Sequence, residues 1–328
     1  MGMDDDLSKY FRKESKTQSF DESGEPIEAI TDGKESPEDR LNSIFEGDNT
    51  AKKKKSVDIK LDKKSVTMSV EEFDVFMTVL RGLQNSCEDV IIKDGIISQF
   101  NAKRTFLIYA DLRNVIGDTD LVINNLPNKY EFLSTIFQRQ NVNVTLNITK
   151  EKYVFTDSSC KIEFRHPNME YVPATYEDKV ALDVMIDRNL NKCIFNYNFQ
   201  KLLITRIIAS AKMLSSNLMY IIFDENGNVK FDVQPLDTTN STVATLGIMG
   251  SDDLHDKSLR NLRVPVLVQM FLNFINAGCE EINTRMYHRN VTNTCSFEMF
   301  SNLVIPGSDD VVPFSIHSMM SFVPHNEQ

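Results

Sequence analysis

The same succession of local patterns occurs twice along this chain, and that limits the folds open to it more than any single motif does. Val70–Gln84, VEEFDVFMTVLRGLQ, places Val70, Phe73, Met77, Leu80 and Leu83 on one stripe of a helix. VIIKDGIISQFN and RTFLIYADL follow as β-rich arms turning at Asp94-Gly95, and Asn128–Gln140 reads as a second helix behind Pro127. NVNVTLNIT, KYVFTDS and CKIEFRH then alternate as strands. The second half repeats the order. FQKLLITRIIASAKML reads as a helix, LMYIIFDENGNVKFDV as a hairpin turning at Asn226-Gly227, and TVATLGIM as a strand. Pro265 is expected to open a helix over VLVQMFLNFINAG that ends at Gly278. EEINTRMYHRN, TCSFEMFSN and VVPFSIHSMMSF close as strands. The turn glycines Gly95 and Gly227 stand 132 residues apart, and the second helices begin near 128 and 265. Two copies of one topology explain this most economically. The expected class is α+β, two similar domains each with helices packed on antiparallel sheet.

The first 56 residues do not share the pattern. They are rich in charge, Ser and Gly and poor in large apolar residues, so they cannot offset their ordering entropy, and a disordered charged tail is expected. Lys52 to Lys55 close it, as a solvated hinge or as a basic patch for nucleic acid. Two apolar islands, LSKYF and RLNSIFEGD, read as partner-binding peptides or as chance clusters. No signal-peptide pattern opens the chain, and Asp6 stands where an acylation motif wants Ser or Thr. The most apolar run is interrupted by Pro265, Gln269 and Asn273 and is too short to span a bilayer. Five scattered cysteines without CxxC or Cys/His ligand spacing read as reduced structural thiols. A soluble, cytoplasmic protein without membrane contact is expected.

Chemistry-bearing patterns are missing. His166, His255, His288, His317 and His325 are isolated from one another and from ligand partners, and no phosphate loop, GxGxxG, GxSxG or HExxH occurs. The acidic fragments at Asp118-Thr119-Asp120 and Ser251-Asp252-Asp253 read as solvated loops, and DENGN as a hairpin turn rather than a calcium loop. The expectation is no enzyme, no catalytic residue, no metal and no cofactor.

What remains is a charge anomaly. The formal net charge is −11, yet between Asp187 and Asp224 there is no acidic residue, and that interval holds the helix-like NFQKLLITRIIASAKMLSSN. At about 100° per residue, Leu203, Ile204, Ile207, Ala211 and Leu214 gather on a core-facing stripe. Lys201, Thr205, Lys212 and Ser216 gather on another, with Arg206 on the far side. A basic, hydroxyl-bearing face with no carboxylate in its own segment meets the needs of phosphate contact without base reading; a solvated face that happens to be basic is the bland alternative.

The repeated order of helix, hairpin, strand, helix and antiparallel strands resembles the DNA sliding clamps, and most closely the two-domain clamps of tailed phages. The likeness spans about residues 57 to 325. DGIISQFNAKRTFLIYADLRN with LVINNLPNKYEFLSTI is similar to the clamp order of hairpin, outer strand, connecting strand and second helix. VNVTLNITKEKYVFTDSSCKIEFRHPN is similar to the strands that end a clamp's first domain, and MEYVPATYEDKVALDV to the connector. The resemblance implies the DNA-clamp fold, divided as tail 1–56, clamp domain 57–168, connector 169–180 and clamp domain 181–328. It implies a homotrimeric ring of six modules that encircles duplex DNA without sequence specificity, tethers a DNA polymerase as processivity factor and requires an ATP-dependent clamp loader. The DNA-facing residues it implies are Lys201, Arg206 and Lys212, then Arg81, Lys129 and Arg139, with Arg260 and Arg263 ahead of the uncharged fourth helix. It places a partner-peptide groove at Val172, Pro173, Phe322, Val323 and Pro324. Leu41, Ile44 and Phe45 of the tail are similar to the short peptides by which clamp clients dock. An interaction protein of the same fold that closes no ring, a transcription cofactor or scaffold docking through its tail, is the alternative.

Overall fold

The computed structural model describes residues 59, 61–137, 142–167, 193–226, 228–235, 243–249, 259–288 and 294–324. The first half runs β1 (Lys64–Met68), α1 (Val70–Leu83), β2 (Val90–Lys93), β3 (Ile96–Phe100), β4 (Leu107–Asp111), α2 (Arg113–Ile116), β5 (Leu121–Ile123), α3 (Leu126–Ile136), β6 (Val144–Ile148), β7 (Lys152–Thr156) and β8 (Lys161–Arg165). The second half runs β9 (Cys193–Gln200), α4 (Lys201–Met213), β10 (Leu218–Phe223), β11 (Val229–Val233), β12 (Ala244–Met249), β13 (Leu262–Leu267), α5 (Val268–Asn276), β14 (Glu281–His288), β15 (Thr294–Val304), β16 (Val311–Ser321) and β17 (Val323–Pro324). The order repeats as the sequence implied, and the class is α+β.

Local chemistry fixes several boundaries. Ser69 caps α1 in a capping box: its hydroxyl accepts from the Glu72 amide, and the Glu72 carboxylate accepts from the Ser69 amide. Asp94 and Gly95 both have positive φ (50° and 75°), the geometry of the tight hairpin between β2 and β3. Asp224 organises the β10–β11 turn by accepting from the amides of Asn226 and Asn228, so DENGN is a hairpin turn.

One expectation fails. Pro265 does not open a helix; it lies in β13 opposite Tyr220, and α5 begins at Val268. The flank of β13 that β17 covers extends only over Leu262 and Arg263, so Pro265 sits where no described strand asks for its missing N–H.

Among the described residues the strands form three antiparallel sheets: β1-β6-β7-β8, β12-β11-β10-β13-β17, and β5-β2-β3-β4-β16-β15-β14-β9. The last joins the two halves, because β4 of the first pairs with β16 of the second, Ile108 opposite Ile316. Helices lie side by side over these sheets: α4 touches α5, α5 touches α1, and α1 touches α3. One continuous apolar core fills the space between, with Phe73, Phe76, Phe137, Tyr153 and Phe155 stacked edge to face in the first half. Phe195, Tyr197, Phe199, Phe231 and Phe271 form a second ring cluster in the other half, stacked at Phe195–Tyr197 and edge to face at Tyr197–Phe199 and Phe199–Phe271.

Candidate nucleic-acid interface

The helix row ends at α4, which carries the basic stripe. Ile204, Ile207 and Ala211 are buried, as the periodicity requires, and Lys201, Thr205, Arg206 and Lys212 are exposed. Arg206 and Lys212 have no carboxylate partner among the described residues, so their charge faces solvent. Lys201 differs: its ammonium pairs with Glu280, contributed by the turn between α5 and β14. The stripe is therefore acid-free along its own segment but not in space.

The other expected DNA-facing residues divide. Arg81, near the C-terminus of α1, is half-buried and donates its Nε to the Asn276 carbonyl at the end of α5. Counting from the first residue of each helix, Val70 and Lys201, Arg81 falls on Lys212, so both halves place a cation at the same point. Lys129, on α3, is not displayed. Its ammonium donates to the Tyr153 hydroxyl at 2.8 Å and to Asn124 Oδ1, and stands 5.1 Å from the ring centroids of both Tyr153 and Phe164. Burial among these rings lowers its pKa to about 8, against a weaker opposing pull from Asp89. Arg263 is also misplaced by the sequence reading. Val264 and Val266 of β13 face the core, so Arg263 lies on the opposite side of the sheet from the helices, its guanidinium 4.9 Å from the Tyr220 ring. Arg260 is exposed just before β13, and Arg139 lies outside the described residues.

Lys129 gives a pH test with a definite sign. The folded-state pKa lies near 8 and the unfolded value is 10.5. The folded chain thus holds this proton less tightly, and the penalty for burying the charge is fully present below pH 8 and vanishes above 10.5. Urea-unfolding midpoints are expected to carry a rising component across that interval that Lys129→Met removes.

Of the proposed peptide groove, Phe322 is core, 4% exposed and part of the continuous apolar cluster, because β17 draws the chain end back onto β13. Val323 is half-buried and Pro324 exposed. Val172, Pro173 and the tail residues Leu41, Ile44 and Phe45 lie outside the described residues.

Sequence reading missed a second stripe on α4. Leu202, Ala209 and Met213 are exposed beside Arg206 on one flank, with Leu202 64% and Met213 85% accessible. Their spacing of seven and four residues was the available signal. Among the described residues, no His, Cys, Asp and Glu cluster could hold a metal ion, and no helix is long and apolar enough to cross a membrane.

No protein-family model and no curated protein sequence matches the chain. Solved structures do. The proliferating cellular nuclear antigen of Entamoeba histolytica superposes with a TM-score of 0.52 at 10% identity, over 80% of this chain and 100% of that one. The PCNA of A. fulgidus, solved with the C-terminal region of FEN-1, gives 0.52 at 11% identity over 80% and 99%. The H. pylori beta clamp, solved with 5-chloroisatin, gives 0.51 at 14% identity over 80% and 67%. The chain therefore has the DNA-clamp fold.

Proposed function

We propose that this chain is a sliding clamp, whose copies join head to tail into a closed ring around duplex DNA and tether a DNA polymerase to it. The reading rests on one observation. The two halves are joined inside the chain by β4 against β16, and the strands that correspond to these in the duplicated order, β12 and β8, are both end strands of their sheets among the described residues. An end strand presents a row of N–H and C=O groups that seek pairing. Pairing β8 of one copy with β12 of the next repeats the internal junction between copies. Because the contact joins two different surfaces, it generates a ring once the rotation closes.

Three copies of this two-module chain make the six-module ring of the clamp fold, the two-domain arrangement familiar from phage clamps. The helix row then lines the hole, and Arg206 and Lys212 of each copy face the phosphates, with the exposed Glu71 and Asp74 at the start of α1 as the acidic exceptions on the same row. Such a ring holds DNA by topology and performs no chemistry. It works in the compartment where replication occurs, here the cytoplasm, and needs an ATP-driven loader to open it.

Light scattering over a range of concentration is the direct test. A mass three times that of the 37.5 kDa chain is expected, with retention on circular duplex that disappears when the circle is cut. A chain that stays monomeric at high concentration overturns the reading.

A further inference from the structure

The internal junction is closed by helices as well as by strands. Across it, α1 meets α5 so closely that a Cβ on Gly82 would stand 2.9 Å from the Ala277 Cβ and 3.0 Å from the Asn273 carbonyl oxygen. The Ser86 hydroxyl donates to Asn273 Oδ1 at 2.8 Å across the same seam. Thr78 lies there too, against Gly278.

The duplication identifies the counterparts of these residues. Counting from Val70 and Lys201, the buried Phe73, Phe76 and Leu80 of α1 fall on the buried Ile204, Ile207 and Ala211 of α4. In that register Thr78 falls on Ala209 and Gly82 on Met213. The register carries on into the strands, where Ile92 falls on Phe223. Their partners are Leu121 in β5 and Leu262 in β13. Counting on from those two, Asn273 falls on Phe132 of α3. The two positions that touch inside the chain, Gly82 and Asn273, thus correspond to Met213 and Phe132.

Both counterparts are exposed, at 85% and 60%, and they stand at opposite ends of the helix row. Met213 is on α4, which packs beside the end strand β12. Phe132 is on α3, whose Lys129 rests against Phe164 of the end strand β8. We infer that Phe132 of one copy packs against Met213 of the next, with Leu202 and Ala209 beside it, as the apolar seal of the junction between copies. The occupant of this surface is a second copy of the chain, and the inference rests on the ring reading above. Its character differs from the internal seam. A glycine against a buried asparagine makes a close, hydrogen-bonded junction, whereas phenylalanine against methionine makes a bulkier, hydrogen-bond-free one.

Charge exchange at the two positions tests this in the full chain. Both are exposed, so the variants keep their fold. Phe132→Asp and Met213→Lys, each alone, are expected to raise the dissociation constant of the assembly roughly tenfold or more. The Phe132→Asp/Met213→Lys double variant sets aspartate against lysine at every seam and is expected to recover most of that affinity. Assembly unchanged by either single substitution overturns the seal and leaves the ring reading intact. Equal weakening with no recovery in the double variant also overturns it, because the two positions then act independently. A wild-type chain that never assembles overturns both.

Discussion

Replacing Gly82 with leucine should lower the unfolding temperature by roughly 5 °C, from about 3 kcal/mol of overpacking in a chain of this size. The helix itself would gain from losing a glycine, by about 1 kcal/mol for alanine at an exposed site. Space decides against it. The first added carbon already stands 2.9 Å from the Ala277 side chain and 3.0 Å from the Asn273 backbone oxygen, and neither can retreat without moving α5. The branched end of leucine then reaches toward the Phe314 ring, 3.5 Å from the Cβ position. Differential scanning calorimetry would detect the change, and hydrogen exchange would place it: amides of β4 and β16, which join the halves, should lose protection first. An unfolding temperature within a degree of wild type would show that α1 and α5 are not held at the distance described.

The second large effect concerns DNA. Arg206→Glu with Lys212→Glu reverses the two cations of α4 that have no carboxylate partner among the described residues, without touching the core, since both side chains are exposed. Duplex affinity at low salt is expected to fall roughly a hundredfold, and the slope of log affinity against log salt to flatten by about 0.9 for each phosphate no longer neutralised. Lys230→Glu serves as control. Its neighbours Val229 and Phe231 are buried in the core, so Lys230 lies on the side of its sheet away from the helices; because its ammonium stands 3.6 Å from Asp224, the control is read only with its unfolding temperature measured alongside. Fluorescence anisotropy at several salt concentrations measures both quantities. A control effect about half that of the double reversal on the logarithmic scale, in proportion to the two charge units changed against four, would mean that total charge, not the helix face, governs binding.

Periodicity read well where a residue's neighbours are close in sequence. The apolar spacing of α1 and α4, the Asp94-Gly95 turn and the repeated order were all legible from local sequence. Pro265 was misread because a proline after a loop opens helices by local rules, whereas here strand pairing with Tyr220 claims it. The candidate site was legible in part. The basic stripe of α4 follows from its spacing, but the Glu280 that pairs with Lys201 comes from another element. Lys129 looked available because a half-buried lysine differs from an exposed one only through the rings of Tyr153 and Phe164, from strands further along the chain. Arg263 was grouped with the DNA-facing cations because it was read as lying just ahead of the fourth helix, whereas strand β13 claims it and turns it to the other side of the sheet.

The sequence by itself determined that there are two copies of one module, because apolar periodicity and turn chemistry act over a few residues and survive divergence of side chains. Tertiary structure alone decided which junction between modules is closed within the chain. That depends on Gly82 and Asn273, 191 positions apart, meeting at van der Waals distance while their counterparts Met213 and Phe132 stay in solvent. Contact between distant residues is set by how whole helices pack, and no local pattern encodes that distance.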